Sequence, residues 1–270
     1  MNIDARTIWA DVQQIREIAP LIHNITNYVV MNNTANALLA LGASPVMAHA
    51  LEEVEDMVRI SDALVINIGT LSGEWIESIQ KAMLAAQNLN KHIVFDPVGV
   101  GATSYRTATA RRLIETVSPT VIRGNASEVC AILAEDSFSK GVDSTQESGT
   151  ALVTAQELAR RYQCTVVISG VQDFIVNASR VIQIENGHPL MAKVTGMGCT
   201  ATALIGAFLA VDSKSAIAAA HAMAVMGIAG ELAAKKASGP GSFQLHFLDA
   251  LYNLEISDVE ARLQLSTVSI

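Results

Sequence analysis

The chain has 270 residues, half of them hydrophobic, and 18 basic residues against 26 acidic ones, a formal charge of −8. That length is enough for one large domain. The acidic balance, with no basic run longer than Arg111-Arg112 or Lys235-Lys236, argues against a nucleic-acid partner, so an anionic ligand must be held by a local device.

Cys130, Cys164 and Cys199 are far apart and form no CxxC pair, which supports neither a disulfide framework nor a zinc site and fits a reducing, cytoplasmic setting. Residues 1–6 begin no apolar leader. The weakly polar, Ala-rich stretch over 215–230 falls short of the roughly 20 apolar residues of a bilayer span, so no membrane partner is expected.

In chain order, apolar spacing predicts helices over 3–19 and 29–41, the second closed by Gly42 as a left-handed cap. Short β-rich runs follow at 45–47, 63–68, 93–95, 121–123 and 165–169, alternating with amphipathic helices over 51–60, 75–89, 107–117, 127–133 and 154–162. The polar stretch 135–149 reads as a surface loop. Alternation of this kind predicts a parallel sheet covered on both faces. Residues 174–176 and 180–184 then read as a hairpin followed by an Asn186-Gly187 turn, and helices over 199–211 and 215–237 end the pattern. The expectation is a single three-layer α/β/α domain over 1–270, with a mostly parallel central sheet and a C-terminal hairpin and helices.

In such sheets ligands bind beyond the carboxyl ends of the strands. Gly196-Met197-Gly198-Cys199 stands directly ahead of a helix, where glycines let the backbone close around a phosphate and the helix N-terminus offers free N–H donors. A glycine turn that merely feeds a packed helix is the competing reading. Asp96, at a strand end before Pro97 and Gly99, has the oxygen chemistry of a hydrated Mg²⁺ ligand or of a turn-capping residue. Arg123 suits phosphate oxygens. Glu128 either reaches a metal through water or completes a capping box with Asn125. His23 to Tyr28 and Ser44 to His49 present polar, aromatic and thioether groups at two early strand ends, where a small ring would pack on Met47 with Asn27 nearby. His23, His49, His92, His188 and His221 lack metal-ligand spacing and read as structural or solvated.

Taken in order, Asn27 to Asn32, Ala40 to Met47, Asp96 to Thr103, Arg123 to Glu128 and Gly196 to Cys199 resemble the ribokinase-like superfamily, and within it the hydroxyethylthiazole kinases of thiamine salvage. The resemblance runs over nearly the whole chain. It implies ATP-dependent phosphorylation of a small heterocyclic alcohol, with Mg²⁺ organised by Asp96 and Glu128. It implies ATP contacts from Arg123 and Ser169, an anion hole from Gly196, Gly198 and Cys199, and a thiazole pocket near Met47, Asn27, Val29, Gly69 and Gly196. It also implies a homotrimer with active sites at subunit boundaries, and a loop over 237–241 closing on the adenine side. Cys199 stands where most ribokinase-like enzymes have an aspartate base, and the expectation is a thiol that assists without being essential. A kinase of pyridoxal or hydroxymethylpyrimidine, a nucleotide-dependent hydratase-repair lyase and a non-catalytic nucleotide-binding protein are the alternatives.

Overall fold

A computed structural model describes residues 3–134 and 144–269. Its strands are β1 (Leu21–Ile25), β2 (Ser44–Val46), β3 (Ala63–Asn67), β4 (His92–Asp96), β5 (Val121–Asn125), β6 (Thr165–Ser169), β7 (Asp173–Val176), β8 (Arg180–Ile184) and β9 (Leu265–Ser269). Among the described residues they form one sheet in the order β2-β1-β3-β4-β5-β6-β7-β8-β9. The first six are parallel and β7, β8 and β9 are antiparallel. This matches the expected mostly parallel sheet with its hairpin. β9, which pairs with β8, is an addition to the predicted elements.

Strand periodicity builds the two cores. Successive side chains on a strand point to opposite faces. Val65, Val94, Val121 and Val167 join one buried cluster, whereas Ile66, Phe95, Ile122 and Ile168 join the other. The first cluster is covered by α1 (Ala5–Ile18), α2 (Met31–Leu41), α8 (Met197–Leu209), α9 (Ser215–Lys236), α10 (Pro240–Tyr252) and α11 (Ile256–Arg262). The second lies under α3 (Val54–Ile60), α4 (Gly73–Asn88), α5 (Ser104–Thr116), α6 (Ala126–Leu133) and α7 (Ser144–Tyr162).

Several boundaries differ from the sequence expectation for local reasons. α2 starts at Met31, so Val29 belongs to the preceding turn, while Gly42 caps the helix at φ 112° as expected. α7 begins at Ser144, ten residues ahead of the predicted helix, so 144–149 are helical; the remainder of the predicted loop, 135–143, lies outside the described residues. α8 begins at Met197, which moves Gly198 from the turn into the first helical turn. The stretch expected as a loop at 237–241 connects α9 to α10, with its last two residues in the first turn of α10. Ser242 Oγ accepts from the backbone N–H groups of Ser238 and Gly239 at 3.0 and 3.2 Å, and α10 starts at Pro240.

α9 runs to Lys236, and by length and composition it is long enough to cross a membrane, contrary to the count made on 215–230. Most of that span is buried between α8, α10 and the sheet, the position of a core helix. α8 lies unusually close to the sheet. A Cβ at Gly206 would stand 2.7 Å from Val65 Cγ2, so glycine permits the approach that brings the α8 N-terminus down to the strand ends.

Candidate active site

The parity that sorts the valines also sorts the polar residues. Asn67, Asp96, Arg123 and Ser169 each follow an α8-facing valine by two positions, so all four share its face at the carboxyl ends of β3, β4, β5 and β6. Parallel register sets Asn67 opposite Asp96, and Arg123 lies one strand from Ser169. Asn27 and Met47 follow the neighbouring strands β1 and β2, and Gly69 follows β3.

The N-terminus of α8 points into this row. Gly196 is its N-cap at φ 84°, a left-handed conformation that favours glycine. No side chain caps the helix, leaving its first N–H groups for a ligand. Gly198 faces Arg123: a Cβ there would stand 2.6 Å from Nη1. Arg123 Nη2 donates to Ser169 Oγ, and Nη1 stands 3.8 Å from Asp96 Oδ2.

Asp96 is fully buried. Its Oδ2 accepts from Asn67 Nδ2 at 2.9 Å and from Thr202 Oγ1 at 2.8 Å. Its Oδ1 has no hydrogen-bond partner among the described residues. Burial pushes the carboxyl up to about 6, against the pull of the Arg123 guanidinium, so it is largely ionised at neutral pH. Two donors thus fix one oxygen while the other is left as a bare acceptor for an external cation or donor.

Glu128 adopts the capping geometry. Its Oε2 accepts from Asn125 N at 2.9 Å, and Asn125 Oδ1 accepts from Glu128 N at 2.9 Å. Its Oε1 accepts from Gly99 N at 2.8 Å, tying α6 to the loop after Asp96. Each carboxylate oxygen retains a second lone pair, so capping and water-mediated metal contact are compatible. Among the described residues no cluster of three or more His, Cys, Asp and Glu is arranged to hold a metal. The bare Asp96 Oδ1 beside a second carboxylate nevertheless fits Mg²⁺, which keeps several waters and takes one or two carboxylates together with phosphate oxygens.

Cys199 lies in the first turn of α8, with Asn27 Nδ2 3.5 Å from its sulfur. Burial, reinforced by the Asp96 charge, pushes the thiol up to about 11. The helix N-terminus therefore does not yield a thiolate at neutral pH, because desolvation and a neighbouring carboxylate outweigh it.

At the other end of the row, buried Asn27 donates to Asn67 Oδ1 at 2.9 Å. Gly69 stands against it, since a Cβ there would meet Asn27 at 2.7 Å. Met47 is half-buried just past β2, and its segment is tied to β1 by His23 Nε2 and Ala48 O at 2.7 Å. Burial lowers the His23 pKa, in keeping with a structural role. Val29 lies on the rim with Tyr28, both exposed, and Val30 packs beneath Gly196 at 2.8 Å from the position of an added Cβ. The structure thus gathers the residues singled out from sequence along one line of strand ends.

Sequence reasoning missed four neighbours. Asn67 and Thr202 hold Asp96. Arg106 binds Ile68 O, Val98 O and Gly69 O at 2.7, 3.0 and 2.8 Å, joining the loops after β3 and β4. Buried Asp173 accepts from Gly170 N at 3.0 Å and shapes the turn after Ser169. Asn67 carried a legible signal, an amide ending the apolar run Ala63-Leu64-Val65-Ile66; the others depend on tertiary contacts.

Comparison with known proteins agrees with this geometry. Residues 12–257 match the Hydroxyethylthiazole kinase family. A hydroxyethylthiazole kinase of Syntrophus aciditrophicus is 59% identical over 98% of this chain and 98% of its own length. The structure of a hydroxyethylthiazole kinase protein from Pyrococcus horikoshii superposes with a TM-score of 0.89 at 42% identity, covering 97% of this chain and 99% of the other. Pyridoxal kinase from Staphylococcus aureus, at 17% identity and a TM-score of 0.65 over 93% and 99% of the two chains, shares the fold. With an N-cap glycine, a guanidinium and a buried carboxylate aligned on a three-layer, ribokinase-like sheet, the chain belongs to the hydroxyethylthiazole kinase family.

Proposed function

We propose that this chain, acting as a single domain over 1–270, transfers the γ-phosphate of ATP to the primary hydroxyl of 4-methyl-5-(2-hydroxyethyl)thiazole. The observation that carries the reading is the linear order of the strand ends. The partly apolar set Met47, Asn27 and Gly69 follows β2, β1 and β3, with Val29 in the turn before α2, and the phosphate-seeking Arg123 and Ser169 stand on β5 and β6, with Asp96 between. A heterocyclic alcohol and a nucleotide entering from opposite ends would meet beside Asp96 and the α8 N-terminus.

Asp96, through Oδ1, and Glu128, through water, would hold Mg²⁺. Bound there, the ion supplies charge neutralisation on the phosphate oxygens and orients them. Arg123, held by Ser169 and pressed against Gly198, donates to the transferring phosphoryl group, and the N–H groups of the α8 first turn, opened by Gly196, receive its developing charge. The alcohol oxygen bonds to the γ-phosphorus as the bond to the β–γ bridging oxygen breaks, ADP leaves, and the hydroxyl proton passes to the transferred phosphoryl oxygens. Such a loose transition state asks little of a base, which suits a Cys199 that remains a thiol. Cys199 Sγ then acts by lining the space beside Asn27.

The same reading includes a cytoplasmic enzyme working as a homotrimer, with the exposed Tyr28 and Val29 beside the thiazole end offering apolar surface to a neighbouring subunit. Sedimentation equilibrium tests the trimer. For the activity, ADP release with Mg-ATP is measured against hydroxyethylthiazole, hydroxymethylpyrimidine, pyridoxal and ribose. The thiazole should give the highest kcat/KM; preference for another alcohol overturns the substrate, and no ADP release with any of them overturns the kinase.

A further inference from the structure

Asn67 is buried at the carboxyl end of β3, and its amide uses both ends. Nδ2 donates to Asp96 Oδ2 at 2.9 Å. Oδ1 accepts from Asn27 Nδ2 at 2.9 Å and from the Gly69 backbone N–H at 2.9 Å. The same Asn27 Nδ2 lies 3.5 Å from the Cys199 sulfur. One planar group therefore spans the centre of the row, with the nucleotide-side carboxylate on one edge and the alcohol-side residues on the other.

We propose that Asn67 is a positioning residue that fixes the distance and angle between the alcohol hydroxyl and the γ-phosphate. The inference rests on the thiazole kinase reading and deepens it. Asp96 Oδ2 is held by Asn67 and Thr202, and this leaves the buried Oδ1 without a hydrogen-bond partner among the described residues. Asn27 cannot swing away, because Gly69 stands against it and Asn67 Oδ1 holds its amide. Among the described residues Arg106 also ties the Gly69 loop to the Val98 loop, and Asn27 reaches Cys199 on α8, but neither of these links bonds to the Asp96 carboxylate. Only an amide serves. A carboxylate of the same shape would lack the donor to Asp96, and an apolar residue would leave buried polar atoms on both sides unpaired.

The consequence is a selective loss. Misplacing two reactants by about 1 Å costs on the order of 10²-fold in rate, while each still binds on its own side. Water, being small and mobile, needs no such alignment to accept a phosphoryl group. Disconnecting the halves should therefore raise wasteful ATP hydrolysis relative to alcohol phosphorylation.

The experiment measures ADP and thiazole phosphate together for the wild type, Asn67→Ala, Asn67→Asp, Asn27→Ala and the Asn27→Ala/Asn67→Ala double variant. Wild type should form one ADP per thiazole phosphate; if it forms no thiazole phosphate, the parent reading fails. With that activity present, Asn67→Ala should lose about 10²-fold in kcat with KM for ATP within about threefold of wild type. Its ADP per thiazole phosphate should rise severalfold. Asn67→Asp, which keeps the acceptor for Asn27 and Gly69 and nearly the same shape, should show the same rise and serves if the alanine variant fails to fold. The double variant should cost no more than the worse single one. One ADP per thiazole phosphate in the folded Asn67 variants, or losses that multiply in the double variant, would overturn the inference.

Discussion

Gly198 and Arg123 are in direct contact: a Cβ on Gly198 would stand 2.6 Å from Arg123 Nη1 and 2.9 Å from Nη2. The missing side chain is what lets the guanidinium lie across the N-terminus of α8, where two sources of positive potential converge on the same point. Gly198→Ala should therefore expel the guanidinium while leaving the helix intact, since alanine is a better helix former than glycine. A loss of about 10²-fold in kcat with unchanged or improved Tm is the expected outcome. Steady-state kinetics with a thermal melt would check it, and normal turnover would remove Arg123 from the phosphate site.

Gly196→Ala should behave differently. Its φ of 84° costs an L-residue about 1–2 kcal/mol, and its added Cβ would meet Val30 Cγ1 at 2.8 Å. Both stability and activity should fall, and Tm and kcat measured side by side will separate this variant from Gly198→Ala.

Asp96 ties function to instability. Its carboxyl titrates near 6 in the folded state against an ordinary 3.8, so between those values the folded chain binds more protons than the unfolded chain. The stability it contributes is present below the unfolded value and is lost as pH rises through the folded one. Asp96→Asn should abolish kinase activity, yet raise the Tm of the ligand-free protein at about pH 8, with the gain shrinking toward about pH 4. A Tm difference that is the same at both ends of that range would mean the shift is absent.

Cys199 should be chemically quiet. With its thiol pushed up to about 11, the thiolate fraction at about pH 8 is on the order of one in a thousand, so alkylation by iodoacetamide should be slow and should keep rising about tenfold per pH unit until it levels off near about pH 11. Cys199→Ala should keep measurable turnover and Cys199→Asp should equal or exceed the wild type. A folded Cys199→Ala with no activity would make the thiol indispensable.

Arg106 offers a test of loop positioning without touching the line of strand ends. Arg106→Ala removes donors to Ile68 O, Gly69 O and Val98 O. Leaving part-buried carbonyls unpaired should cost about 1–3 kcal/mol, and release of Gly69 should raise KM for the alcohol more than KM for ATP. Equal KM values with lowered Tm would confine Arg106 to a stabilising role.

The legible parts of the site were those with local causes. Gly42 announced a helix end because only a left-handed residue closes α2 there. Asn125 and Glu128 announced a capping box, which formed, and the metal contact inferred for Glu128 shares its carboxylate with that cap. The start of α8 was read two residues late because Gly-Met-Gly lowers helix propensity, whereas burial of every residue from Thr200 to Leu209 pulls the helix back to Met197. The loop expected at 237–241 forms over 237–239 and runs into α10, whose start Pro240 and Ser242 favour.

The sequence by itself determined the alternating α/β order, the resemblance to the family, and which strand ends bear polar and glycine motifs, because periodicity, glycine and capping act over a few residues. Only the tertiary structure decided the strand order that sets Asn27 and Arg123 on opposite sides of Asp96, the hydrogen bonds by which Asn67 joins Asn27 to Asp96, and the burial that pushes up the Cys199 pKa. Those depend on register between strands distant in sequence and on the desolvation produced by α8 lying against the sheet, which no local pattern encodes.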